Sequence, residues 1–125
     1  MAVPRITKEE LKQRLEAPEA PSRPLVIDVR LKYPYEHSSV KLPAALRVSP
    51  AAPNLASLPK DREIVAYDSD PDEIVSARIV ADLLRQGYKA AALKGGLPDW
   101  IAAKFPIEAK EAPKGSTPAP GSLKG

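Results

Sequence analysis

Two short, almost purely apolar runs constrain this chain most: Leu25-Val26-Ile27-Asp28-Val29, and Glu63-Ile64-Val65-Ala66-Tyr67. Each is too short for a helix, and neither alternates apolar with polar residues. Such runs read as strands covered on both faces, which requires helices above and below a mostly parallel sheet. The segments between them fit that layout. Ile6 opens a short strand, and Thr7 with Glu10 forms a capping box for a helix carrying Leu11 and Leu15 on one face. That helix must end near Ala17, because Pro18, Pro21 and Pro24 follow. From Pro71, the residues Ile74, Ala77, Val80, Ala81 and Leu84 recur at helical spacing, and Gly87 is placed to end the helix. Leu46-Arg47-Val48 and Ala90-Ala91-Ala92-Leu93 add short strands, and a last helix lies around Asp99-Trp100-Ile101. Arg30 to Leu46, broken by Pro34 and Pro43, shows no period. The expectation is one α/β domain with about five mostly parallel strands and helices on both faces.

At 125 residues the chain can bury one core. Beyond Ile107 the composition turns to Pro, Gly, Ser, Ala and Lys, too poor in apolar surface to offset its ordering entropy. The expected division is a domain over 1–108 and a disordered tail over 109–125. The net charge of +3 comes largely from Lys110, Lys114 and Lys124 in that tail, and no basic stripe suggests nucleic acid. No apolar stretch approaches a membrane span, and no secretory h-region opens the chain, which points to a cytoplasmic protein. With no cysteine and one histidine, His37, neither disulfides nor a thiolate or histidine-rich metal site can form.

In open α/β sheets ligands bind beyond the C-terminal ends of the strands, so the turn after Tyr67 is the place for chemistry. It reads Asp68-Ser69-Asp70-Pro71-Asp72-Glu73. Asp70 at the N-cap, Pro71 at the first helical position and Glu73 at the third would start the following helix. Asp68 precedes that cap and points where a ligand would bind.

Here the sequence resembles the rhodanese-like family. Leu25-Val26-Ile27-Asp28-Val29-Arg30 resembles its apolar-D-V-R opening, and Lys41-Leu42-Pro43-Ala44-Ala45-Leu46 its H-I-P-G-A segment. Leu58-Pro59-Lys60-Asp61-Arg62-Glu63-Ile64-Val65-Ala66-Tyr67 resembles L-P-K-D-x-x-I-V-x-Y-C. Ser76-Ala77-Arg78, Leu83-Leu84, Gly87-Tyr88 and Leu93-Lys94-Gly95-Gly96-Leu97-Pro98-Asp99-Trp100, with its G-G-x-x-x-W, complete the match over about residues 5 to 108. One branch of the family carries Y-C-x-C-P-N-E at the active loop, and the resemblance sets Asp68 and Asp70 in the two cysteine places.

In the family the first cysteine carries a persulfide within a ring of backbone N–H groups. A carboxylate forms no sulfur–sulfur bond, so the resemblance implies an inactive module with no catalytic residue, no cofactor and no metal. Lys41 stands where a histidine is usual and Ala44 where a glycine is usual. The related phosphatases need a cysteine and an arginine six residues on, where Asp68 and Ile74 stand. The expected role is binding, scaffolding or regulation by a monomer with a protein partner. The resemblance puts Arg30, Tyr33, Tyr35 and Lys41 at the border of the old pocket, with Asp28 and Arg30 anchoring the nearby loops. Trp100 is expected in the core and His37 in a solvated loop. The rival reading is a Mg²⁺-dependent hydrolase of the haloacid dehalogenase kind. There Asp68 would be the nucleophile and Asp70 the acid–base group. Against it, Pro71 and Asp72 break that motif and no downstream acidic pair completes the metal site. Asp68, Asp70 and Asp72 also resemble a calcium loop, but no glycine stands at its sixth position and Ile79 fills its twelfth.

Overall fold

The computed structural model describes residues 3–16, 23–51, 54–70 and 73–110. Strand β1 (Arg5–Ile6) leads into helix α1 (Lys8–Leu15). Thr7 Oγ1 accepts the Glu10 N–H at 3.1 Å, as the capping residues foretell, while the Glu10 carboxylate pairs with Arg14 instead of closing the box. Strand β2 (Leu25–Asp28), helix α2 (Lys32–His37), and the two-residue strands β3 (Val40–Lys41) and β4 (Leu46–Arg47) follow. Next come strand β5 (Ile64–Tyr67), helix α3 (Ile74–Arg85), strand β6 (Ala90–Leu93), helix α4 (Gly96–Ala102) and strand β7 (Glu108–Ala109).

Five strands form one fully parallel sheet in the order β1-β6-β5-β2-β4. Alternate residues of the central strands feed two cores, one on each face. Ile27, Ile64, Ala66, Ala90 and Ala92 pack with Ile79, Val80 and Leu83 of α3. Val26, Val65, Tyr67, Ala91 and Leu93 pack with Leu11 of α1 and with Leu97 and Trp100 of α4. Trp100 is buried in that second core, and its Nε1–H donates to Pro106 O at 2.7 Å. The alanines of β6 leave room for α3 to lie close to the sheet. Gly87 ends α3 at φ +91, and Tyr88 N–H returns to Leu83 O at 3.0 Å.

Several expectations need correction. Among the described residues α3 starts at Ile74, not at Pro71, which lies outside them together with Asp72. The buried stripe of α3 is Ser76, Ile79, Val80 and Leu83, so the stripe read from Ile74 to Leu84 is rotated off the core. Ile74 is 66% exposed and Leu84 39%. The supposedly patternless stretch after Arg30 holds α2, and His37 is its last residue. That helix buries no residue, so no hydrophobic period could mark it. The described chain also runs past Glu108: β7 pairs antiparallel with β3, and Lys110 N–H donates to Ser39 O at 2.9 Å. Ala109 and Lys110, assigned to the tail, are therefore attached to the domain. The tail expected beyond them lies outside the described residues.

Pro43 and Ala44 are the central residues of a turn closed by Ala45 N–H to Leu42 O. Ala44 has φ +58, a left-handed conformation that costs an L-residue roughly 1–2 kcal/mol. Glycine removes that strain but adds about 0.4–1 kcal/mol of unfolded-chain entropy. Ala44→Gly should therefore stabilise the domain by about 0.5 kcal/mol, read as a raised urea midpoint at unchanged slope. A lowered midpoint would show that the turn is unstrained.

Candidate functional site

Asp68 directly follows the central strand β5 and is only 1% exposed. Its carboxylate turns inward, toward the start of α3. Oδ1 accepts the Asp70 N–H at 2.9 Å and Oδ2 accepts the Ser76 N–H at 2.7 Å. Burial pushes its pKa up, and the charge of Asp70 adds to the rise. The N–H groups of Ser76, Asp70 and Val75 pull against them, but the net shift is upward. Since the folded pKa exceeds the unfolded one, the stability tied to this group is complete below the unfolded value. It is lost as pH rises through the folded one.

The cap of α3 thus differs from the one its sequence suggests. Asp70 stands three residues ahead of the N-cap, which is Glu73, and its carbonyl accepts the Glu73 N–H at 2.9 Å, closing a turn. Glu73 then takes φ +60, ψ +34 and occupies the N-cap position without a side-chain capping bond. The capping carboxylate comes from Asp68, outside the local register that cap rules assume. Such a cap contributes roughly 0.5–2 kcal/mol.

Three neighbouring elements hold the loop in place. Leu97 N–H donates to Asp68 O at 2.9 Å. Glu73 is buried, and its carboxylate accepts Arg5 Nε at 2.5 Å and the Gly95 N–H at 3.0 Å. Burial works to raise the pKa of Glu73, but Arg5, Gly95 and Lys94 outweigh it and hold it below the ordinary range. Gly96, at φ +66, lies so close that an added Cβ would stand 2.8 Å from Asp68 O and 3.0 Å from Asp70 O.

Outside the loop, a depression of about 310 Å³ is lined by Leu31, Asp68, Ser69, Asp70 and Val75. Of the residues expected at its border, none lines it. Arg30 is 1% exposed and lies in a buried network. Its Nη2 donates to Asp28 Oδ2 at 2.6 Å and its Nε to both carboxylate oxygens at 3.0 Å. Tyr67 Oη–H donates to the same carboxylate at 2.8 Å and accepts the Leu42 N–H at 3.3 Å. Burial and the nearby Asp28 push the Tyr67 phenol far above its usual pKa, so it remains a donor. Tyr35 and Lys41 instead line a second pocket with Arg47 and Lys110. Tyr33 is 73% exposed and packs its ring near His37, at 4.9 Å. No motif or local pattern marks Arg47, Lys110 or Arg5; only the G-G signature points to Gly95 and Gly96.

The sequence profile of the rhodanese-like domain matches residues 7–103. The chain belongs to that family. Solved structures agree with the assignment. A rhodanese-like domain protein from Staphylococcus aureus superposes with a TM-score of 0.65 at 25% identity, over 86% of this chain and 99% of that one. The BH2092 protein from Bacillus halodurans gives 0.72 at 17% identity, over 86% and 77%, a likeness of fold alone. A Rhodopseudomonas palustris protein, RPA3614, described as of unknown function and a possible tyrosine phosphatase, gives 0.68 at 18%, over 85% of each chain. No curated protein sequence is significantly similar to the chain. The chain contains no cysteine. Among the described residues no helix is long and apolar enough to cross a membrane.

Proposed function

We propose that this rhodanese-like domain transfers no sulfur and serves as a non-catalytic binding or regulatory module. The resemblance sets Asp68 in the place of the family's persulfide-bearing cysteine. One observation carries the reading: the Asp68 carboxylate accepts the backbone N–H groups that would otherwise receive an anion. The site holds a fixed anion of its own. A carboxylate supplies no sulfur acceptor and no thiolate leaving group. Leu31 at the mouth is 52% exposed, and Ile74 at the first turn of α3 is 66% exposed. Both offer apolar contact to a protein partner.

The hydrolase reading gains nothing from this geometry. A carboxylate facing helix N–H donors lies in positive potential, which opposes a metal cation.

The experiment is a sulfate titration followed by the amide signals of residues 68–76, together with an assay for thiocyanate from thiosulfate and cyanide. The wild type should show no movement there and no thiocyanate above buffer. The Asp68→Asn, Asp70→Asn double variant should gain sulfate-dependent shifts in those amides. Heat-sensitive thiocyanate formation, or sulfate-dependent shifts of the wild-type 68–76 amides, would overturn the reading. Mg²⁺-dependent turnover of p-nitrophenyl phosphate would install the hydrolase in its place.

A further inference from the structure

The second pocket lies beside the edge strand β4, and positive charge acts on it from four separate segments. Arg30 follows β2, Lys41 ends β3, Arg47 ends β4, and Lys110 follows β7. The pocket encloses about 220 Å³, with Tyr35, Lys41, Arg47 and Lys110 in its wall and Asp28 at its base. The Arg47 guanidinium carbon lies 4.0 Å from the Tyr35 ring centre and Lys110 Nζ lies 4.1 Å from it. Arg30 stands 5.2 Å from the same ring. One aromatic face system is thus shared by three cations.

The local acids do not balance this charge. Asp28 is occupied by Arg30 and by Tyr67, and it reaches Arg47 only at 3.7 Å. Glu108 lies 3.4 Å from Lys41 and also accepts the Ala44 N–H. Glu36 acts on Lys110 from α2 only as a weak, distant charge. Four cations therefore face three carboxylates, one of which is committed to the core. Burial holds both Arg47 and Lys110 below their ordinary pKa values, and neighbouring cations add to that fall. Hydrogen bonding leaves donors to spare. Arg47 uses Nη1 for the carbonyls of Arg30 and Asp28, and Lys41 uses Nζ for Ala45 O. A guanidinium carries five N–H donors and an ammonium three.

We propose that this pocket is a binding site for a single phosphoryl-class oxyanion, held by Arg47, Lys41 and Lys110. Arg47 suits a tetrahedral oxyanion because its planar fork can donate to two oxygens at once, while the two ammonium groups supply point charge. The site is separate from the Asp68 loop, which repels anions. It therefore gives the domain a ligand site of the opposite electrostatic character. The occupant is free phosphate or the terminal phosphoryl group of a larger small molecule.

The test is an NMR titration with inorganic phosphate and, in parallel, with methyl phosphate, both at constant ionic strength against chloride. Signals of Tyr35, Lys41, Arg47 and Lys110 should move in a saturable way, while the 68–76 amides stay still. Lys110→Gln and Arg47→Gln should each weaken binding by about tenfold, roughly one lost charge-assisted contact. Lys60→Gln should change it less than twofold, although Lys60 stands in another cation-bearing depression with Arg14, Arg62 and Lys89. Lys110 sits at the edge of the domain, so its variant remains informative if Arg47→Gln unfolds. Methyl phosphate binding as well as phosphate indicates a larger phosphorylated ligand, and phosphate alone indicates the free ion; both uphold the site. Non-saturable shifts, or equal weakening by Lys60→Gln, would reduce the pocket to general surface charge and overturn the proposal. Movement confined to the 68–76 amides would overturn it too, and would also defeat the self-occupied loop. Stillness everywhere would sink this proposal alone.

Discussion

Replacing Asp28 by alanine should destabilise the domain by about 3–5 kcal/mol, the range for breaking a buried ion pair from one side. Asp28 and Arg30 are each 1% exposed, so water cannot rescue whichever partner is left. Without the carboxylate, Arg30 loses its Nε and Nη2 acceptors and retains Val40 O at 3.1 Å. Tyr67 loses the acceptor for its hydroxyl, and burial, the largest cause of its raised pKa, still opposes escape by ionisation. In the intact domain the hydrogen bonds and charge of Asp28 more than reverse the lowering of the Arg30 pKa by burial. An arginine keeps its proton even without them, so the variant leaves a buried, unpaired guanidinium. The loss should appear in urea unfolding as a fall in midpoint without a large change in slope. Asp28→Leu combined with Arg30→Met should be far less damaging than Asp28→Ala, because no charge is then left buried. A loss below about 1 kcal/mol for Asp28→Ala would show that water enters the network, since surface ion pairs contribute on that scale.

The second large effect is expected at Gly96. Alanine there must hold φ +66 and place its Cβ 2.8 Å and 3.0 Å from two backbone carbonyl oxygens. The left-handed backbone costs roughly 1–2 kcal/mol, and overpacking adds about 1–3 kcal/mol, so the expected loss is about 2–5 kcal/mol. The carbonyls belong to Asp68 and Asp70, and neither can move without disturbing the inward-facing carboxylate. Gly96→Ala should therefore also shift the amide signals of Asp70 and Ser76. Gly87→Ala is the matched control. It shares a positive φ, but its added Cβ would meet only Lys60 Nζ at 3.8 Å. It should cost about 1–2 kcal/mol and leave the Asp68 loop unmoved. Equal losses at the two glycines would mean that backbone conformation, not the close approach, limits Gly96.

The sheet was largely legible because its central strands are continuous apolar runs, which have no other stable use than burial between helices. Thr7 and Gly87 were legible for a related reason: each acts within one turn of its own position. The Asp68 loop was only half legible. Its place beyond β5 follows from the fold, but the carboxylate caps a helix that starts six residues later, and Arg5 reaches Glu73 across most of the sequence. Neither contact has a local period to betray it. Of the cations near the second pocket, the family resemblance marks Arg30 and Lys41, whereas Arg47 and Lys110 come from separate segments and a count of charge along the chain shows them only as scattered residues. The misplaced stripe of α3 has a similar origin. Val80 fits both candidate faces, and the choice is made by Ser76, whose N–H and hydroxyl are both turned to the loop.

The pairing of β1 with β6 ties the start of the chain to Ala92 and Leu93. A ribosome releases Arg5 early and the Gly95-Gly96 turn much later, so the nascent chain must wait for the far side of its own sheet. Closure of so long a loop carries an entropic cost before the contact rewards it. Until then Glu73 lacks both Arg5 and the Gly95 N–H, and the Asp68 carbonyl lacks Leu97. The acidic loop is therefore among the last parts of the domain to become rigid during synthesis. A stalled or prematurely ended chain would display its carboxylates unclamped, beside strand edges still open to other chains.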